Sequence, residues 1–137
     1  MTIFLKDLLP LINTKFDEHW SVSIYTADGY TQLGYVNSSY PMKDLPIYIL
    51  FSLEIESISI GFGSLCITVK NNDFTEDLAK IIKVARKDNI HLMPYDIEVG
   101  THKIIRVSMG VRNHQSNSID IYGTYHIVNG KVERWGE

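Results

Sequence analysis

Cysteine is almost missing from this chain. One residue in 137, Cys66, carries a thiol. No internal disulfide can form, which excludes a disulfide-stapled secreted scaffold and fits a reducing compartment. Its neighbours Leu65 and Ile67 read it as a small buried hydrophobe and not as a nucleophile. A basic excess is missing too: 13 Lys and Arg face 16 Asp and Glu, for a net charge of −3. That balance argues against nucleic acid as the ligand, because phosphate binding draws on a basic patch. No apolar run reaches the roughly 18 residues of a membrane span. The start, MTIFLKDLLP, has neither a basic n-region nor a small-residue cleavage site, so no signal peptide is expected. A cytoplasmic protein is the resulting expectation.

Local chemical motifs are also lacking. His19, His91, His102, His114 and His126 include no HxxxH or HxH pair, and no CxxC accompanies them. No metal site, no cofactor site and no catalytic residue is therefore assigned, and the chain is not expected to be an enzyme.

What the chain does have is a core of ordinary size. It is 45% hydrophobic and 21% charged, as soluble globular domains are. The most apolar stretch, Leu45 to Lys70, should supply the central strands of the main sheet. Ile47, Ile49, Phe51, Leu53 and Ile55 alternate with more polar neighbours, the period of a half-buried strand. The alternation slips at Glu56-Ser57, which predicts a bulge or a reversal, because a one-residue slip flips every following side chain. Gly61 to Ser64 offers a second reversal before Leu65, Ile67 and Val69. Two or three antiparallel strands are expected.

Two amphipathic helices frame this run. Ile3 to Trp20 places Leu5, Leu8, Leu9, Ile12 and Phe16 on one stripe, with Pro10 predicting a kink or a late start. Phe74 to Asp88 buries Phe74, Leu78, Ile81, Ile82 and Ala85. Asp73 with Glu76 has capping-box spacing, and Asn89 suits a left-handed stop.

Hairpin signals fill the rest. Asp28-Gly29 predicts a two-residue type I′ turn setting Ile24 opposite Leu33 and Val22 opposite Tyr35. Four strands follow the second helix: Ile90 to Val99, Lys103 to Arg112, Ile119 to Val128 and a last one ending at Trp135. A three-residue loop at Gly100 to His102 would let Ile97 and Val99 share a face with Ile105 and Val107. Asn129-Gly130 predicts a turn pairing Ile127 with Val132 and His126 with Glu133. The expectation is one α+β domain over residues 1–137, with antiparallel sheets of seven or eight strands and two principal helices. The order is helix, three or four strands, helix, four strands, a repeat of pattern between the halves.

Parity sends Asp96, Glu98, Arg106, Asp120, Tyr122, His126 and Glu133 to the outer face of the last four strands. A His126–Glu133 pair has the makings of an oriented general base, but an exposed ion pair is the commoner meaning. Tyr25, Tyr48 and Tyr122 fall opposite the apolar series, and tyrosine is enriched at interfaces. With Glu54, Glu56 and Asp120 they form the candidate partner-binding set.

In size, acidity, compartment and element order the whole chain resembles the small α+β immunity proteins that neutralise bacterial polymorphic or contact-dependent toxins. Some of those repeat four strands plus a helix, similar to the Whirly fold. The resemblance implies stoichiometric inhibition of a toxin domain by a cytoplasmic antitoxin. Size, acidity and a leading helix are also similar to type III secretion chaperones, which usually finish with a helix where this chain finishes with KVERW. The segment Tyr125-His126-Ile127-Val128-Asn129-Gly130-Lys131-Val132 resembles the closing hairpin of SnoaL-like domains, which would imply a small-molecule enzyme or binding domain. Those domains place their helices early, whereas here one follows the central strands.

Overall fold

A computed structural model describes residues 2–11, 21–37, 45–46, 52–61, 63–101, 103–113 and 115–136. Among the described residues the fold is α+β, with two helices and two four-stranded sheets. The chain divides into two compact units, Met1–Asn71 and Asn72–Glu137.

The first unit opens with a short helix, α1 (Leu5–Leu8), continued by a 3-10 turn over Leu9–Leu11. The Asp7 carboxylate accepts from the Phe4 amide at 3.1 Å, closing the first turn. The change to 3-10 geometry falls at Pro10, where the missing amide and the ring oppose a continued α-helix. The rest of the expected Ile3 to Trp20 helix lies outside the described residues, as do Ile47 to Phe51.

Its sheet contains β1 (Ser21–Tyr25), β2 (Gln32–Val36), β3 (Ile55–Gly61) and β4 (Ser64–Val69), in the order β2-β1-β4-β3. Both hairpins are antiparallel, but the inner pair β1–β4 is parallel, setting Val22 beside Leu65 and Ile24 beside Ile67. This departs from the all-antiparallel expectation. Hairpins announce themselves through their turns, whereas a parallel pair is joined by distant chain and leaves no local mark. Val22, Ile24, Ile67 and Val69 are buried. Among its described residues, the Leu45 to Lys70 run supplies one interior strand, β4, and one edge strand, β3. The expected slip is a bulge: Ile55 pairs with Val69 and Ser57 with Thr68, leaving Glu56 extra. Cys66 is half-buried in β4, less enclosed than expected.

The Asp28-Gly29 turn is not the two-residue type I′ form. Gly29 has φ +78°, but Asp28 does not share that region, and the Thr26 amide donates to the Thr31 carbonyl across a longer loop. Asp28 Oδ1 instead accepts from Thr26 Oγ1 and from the Tyr30 amide, so the side chain builds the turn. A bulge at Leu33 then sets Ile24 opposite Gly34 and Val22 opposite Val36.

The second unit is a helix followed by a meander: α2 (Asp73–Lys87), then β5 (Pro94–Val99), β6 (Ile104–Asn113), β7 (Ser118–Val128) and β8 (Lys131–Arg134), neighbours in that order. The capping box sits one residue earlier than Asp73 and Glu76. Asn72 Oδ1 accepts from the Thr75 amide at 2.8 Å, and Thr75 Oγ1 accepts from the Asn72 amide at 2.9 Å. Thr75, Leu78, Ile81, Ile82 and Ala85 form the buried stripe, with Phe74 only half-buried. Asn89 is the left-handed stop, at φ 65°. The Ile90 amide donates to Ala85 and the Asn89 amide to Arg86, the two bonds of a Schellman ending. Arg86 Nη1 donates to the carbonyls of Ile90 at 2.7 Å and Leu92 at 3.0 Å, tying the helix end to the segment that leads into β5. Burial lowers the pKa of that guanidinium from its ordinary value, but it stays a cation because arginine is not deprotonated in proteins.

The Asn129-Gly130 turn is as expected. Both residues have positive φ, and Ile127 pairs with Val132 and His126 with Glu133. At the β5–β6 hairpin Ile97 does face Val107, but Val99 pairs with Ile104, so Ile105 is extra and exposed. Tyr125 is fully buried and donates to Asp88 Oδ2 at 2.7 Å, joining the sheet to the end of α2.

Two strand glycines answer to close contacts. A Cβ on Gly110 would lie 2.5 Å from the Asp120 carbonyl oxygen, and one on Gly123 would lie 2.7 Å from Ile90 Cδ1. The first obstacle is backbone and the second is the tip of a side chain that can rotate. Gly110→Ala should therefore destabilise more than Gly123→Ala, by about 1–3 kcal/mol or more for the former, measured by urea unfolding. The reverse order would contradict this register. Asn72→Ala should cost about 0.5–2 kcal/mol in the same assay.

Candidate functional site

The geometry of the second sheet gathers side chains on the face away from the buried Val107–Tyr125 row. One residue from that row, pairing sets Glu98 against Arg106, and the same register sets Arg106 beside His126 and His126 beside Glu133. These four side chains run across all four strands. A second row runs Asp96, Ser108 and Thr124, and Trp135 continues it just past β8, donating its amide to Thr124 at 2.7 Å. Ser108 Oγ and Thr124 Oγ1 are 3.1 Å apart and share a hydrogen bond.

Trp135 organises the charged row. Its ring packs edge-on against His126 at 4.8 Å between centroids, and the Arg106 guanidinium lies 6.0 Å from the indole centroid. Arg106 Nε is 2.7 Å from Glu98 Oε2, but its N–H is not aligned on an acceptor, so the contact is an ion pair and not a hydrogen bond. His126 Nε2 is 3.7 Å from Glu133 Oε2, beyond hydrogen-bond reach. The imidazole is thus oriented by the indole more than by the carboxylate. Trp135 remains 49% exposed. Across the two rows, three carboxylates accompany one guanidinium, and Lys131 adds a cation at the rim.

A bulge extends this face with apolar side chains. Met109 pairs with Gly123 and Gly110 with Ile121, which leaves Tyr122 extra in β7. From that point Ile121 and Ile119 share the face of Gly110 and Arg112, the same face as Ser108 and Arg106. Both isoleucines are exposed, and so is Tyr122. Asp120 pairs with Val111 and passes to the face of Met109. Simple parity had put Asp120 on the outer face, and the bulge overturns that placement. Arg112 donates from Nη2 to the Tyr95 hydroxyl at 2.8 Å and from Nη1 to Asn117 at 3.2 Å, fixing the far end.

The candidate partner-binding residues are divided between the units. Tyr25 is half-buried on β1, and Glu54 accepts from Lys70 Nζ at 3.1 Å. Glu56 is exposed at its bulge in β3. Asp120 and Tyr122 are exposed on β7 of the second unit. Tyr48 lies outside the described residues, as do His19, His102 and His114. Trp135, Ile119 and Ile121 were not singled out by sequence. Strand glycines at 110 and 123 are the signal that points to the bulge, and Trp135 shares the parity of Glu133.

Among the described residues, no group of three or more His, Cys, Asp or Glu is arranged to hold a metal ion, and no helix is long and apolar enough to cross a membrane. No family model matches the chain, and neither curated protein sequences nor solved structures give a match.

If the indole positions the imidazole, Trp135→Ala should displace the His126 ring-proton resonances more than Glu133→Gln does. The opposite order in NMR spectra would assign that role to the carboxylate.

Proposed function

We propose that this chain is an immunity protein that binds and neutralises a bacterial toxin domain, and that the outer face of β5–β8 is its docking surface. The observation that carries the reading is Trp135: a half-exposed indole braced by Arg106 and His126 on an open sheet face. Tryptophan, tyrosine and arginine dominate binding energy at protein interfaces, and pre-set side chains lose less entropy on binding. Ile119, Ile121 and Tyr122 supply the apolar ground beside it, and the carboxylates beside Arg106 supply charge for a basic partner. Glu56, Tyr25, Tyr48, Glu54 and Asp120 are secondary candidates. Of these, Glu54 is engaged with Lys70, and the rest await the same test. The repeat of helix and four strands between the halves is part of the proposal and rests on element order; the two strand orders differ. A SnoaL-like enzyme using His126 is the competing reading.

The test is co-expression with a toxin encoded beside the gene. Wild type should protect the cell. Trp135→Ala, and Ile121→Asp separately, should lose protection while keeping the wild-type melting temperature within a few degrees. Equal protection by both variants would remove this face from the site. No protection by wild type, together with small-molecule turnover that His126→Ala abolishes, would favour the enzyme.

A further inference from the structure

The exposed edges of the two sheets are not equally guarded. The β5 edge carries Pro94, Asp96, Glu98 and a bulge at Tyr95. The β8 edge is four residues long and carries Lys131, Glu133 and Arg134. The β2 edge is five residues long and is interrupted by the Leu33 bulge. Prolines, charges, bulges and short length are the devices that keep an edge from recruiting another strand.

The β3 edge lacks them from Ser57 onward. Its inner side pairs with β4, and among the described residues its outer side meets the N-terminal segment at the start, where the Ile55 amide donates to Ile3 and the Leu5 amide to Leu53. Past the Glu56 bulge, among the described residues, no strand pairs with the outer side of Ser57, Ile58, Ser59, Ile60 and Gly61. None of the five is charged and none is proline. All five are exposed, Ile58 by 47% and Ile60 by 76%.

We infer that this edge is a self-association site, at which Ser57–Gly61 of one chain pairs antiparallel with the same segment of a second copy. The segment is its own complement. A two-fold axis at Ser59 sets Ser59 opposite Ser59, Ile58 opposite Ile60 and Ser57 opposite Gly61 of the second copy. Odd residues then meet odd and even meet even, so whichever set of amides points outward finds matching carbonyls. Each exposed isoleucine gains an apolar partner on its own face, and cross-strand pairs are the unit of sheet stabilisation. With no charge in the segment, nothing repels the second copy and nothing selects a foreign charged strand. The result is a continuous eight-stranded sheet across the dimer. The paired segment is short, which places the contact among weak, concentration-dependent interfaces.

Sedimentation equilibrium of the full chain should show a mass rising with concentration from 15.7 kDa toward twice that value. Ile60→Lys should hold the mass at the monomer value with an unchanged circular dichroism spectrum. Ser59 also pairs with Cys66 inside the chain, so a disulfide test needs Cys66→Ser as background. In that background Ser59→Cys should give a covalent dimer under mild oxidation, because the two Cβ atoms lie about 5 Å apart across the axis. Ser57→Cys should not, since the two copies of that residue are about 13 Å apart along the strands. A mass that stays monomeric up to millimolar concentration would overturn the proposal. So would equal cross-linking at both positions. A monomeric wild type whose Ile60→Lys variant loses protection against the toxin would also overturn it, by giving the edge to the partner.

Discussion

One helix has to cover one sheet in the second unit, and their lengths do not match. The fifteen residues of α2 span about 22 Å, while the eleven residues of β7 span about 36 Å. Apolar residues spaced evenly down one face of β7 would leave several exposed beside the helix. The chain breaks the alternation instead. Tyr125 and Gly123 face the helix, and the extra residue at Tyr122 sends Ile121 and Ile119 to the other side. The Schellman ending and the Asp88–Tyr125 hydrogen bond hold the end of the helix against the sheet. The outer face, with its two isoleucines and braced indole, follows from that arrangement.

This ties the make-up of the outer face to the backbone. A Cβ on Gly110 would lie 2.5 Å from the Asp120 carbonyl oxygen, so the glycine permits the bulge and the bulge composes the face. The same arrangement explains why the face is mixed in character. Its Trp135 end is charged and aromatic, its Ile119 end apolar, and Ser108 and Thr124 lie between them as a hydroxyl pair. An open surface of that composition suits a folded protein partner better than a small molecule, which is bound best in a concave site.

Much of the fold was legible where the signal is local. The Asn129-Gly130 turn needs two positive φ values, and those two residues are the ones that supply them easily. The periodicity of α2 and its Asn89 stop were readable for similar reasons, as was the Glu56 bulge from its slipped alternation. The Asp28-Gly29 loop was misjudged because the Asp28 side chain, acting through hydrogen bonds to Thr26 and Tyr30, built a longer turn than the dipeptide alone implies. The parallel β1–β4 pair had no local signature. For the candidate site, sequence parity placed Arg106, His126 and Glu133 correctly, since no extra residue intervenes between their rows. It misplaced Asp120 and overlooked Ile119 and Ile121, because one inserted residue inverts everything beyond it.

The central claim is that a protein partner docks on the outer face of β5–β8. It is tested most directly by hydrogen–deuterium exchange on the purified chain, with and without an inactivated form of the proposed partner, a toxin domain sought among the products of the neighbouring genes. The account predicts slowed exchange concentrated in residues 104–112, 119–126 and 133–135, with α2 unchanged. Protection confined to the first unit, or slowed exchange in α2 without any in those strands, would contradict it.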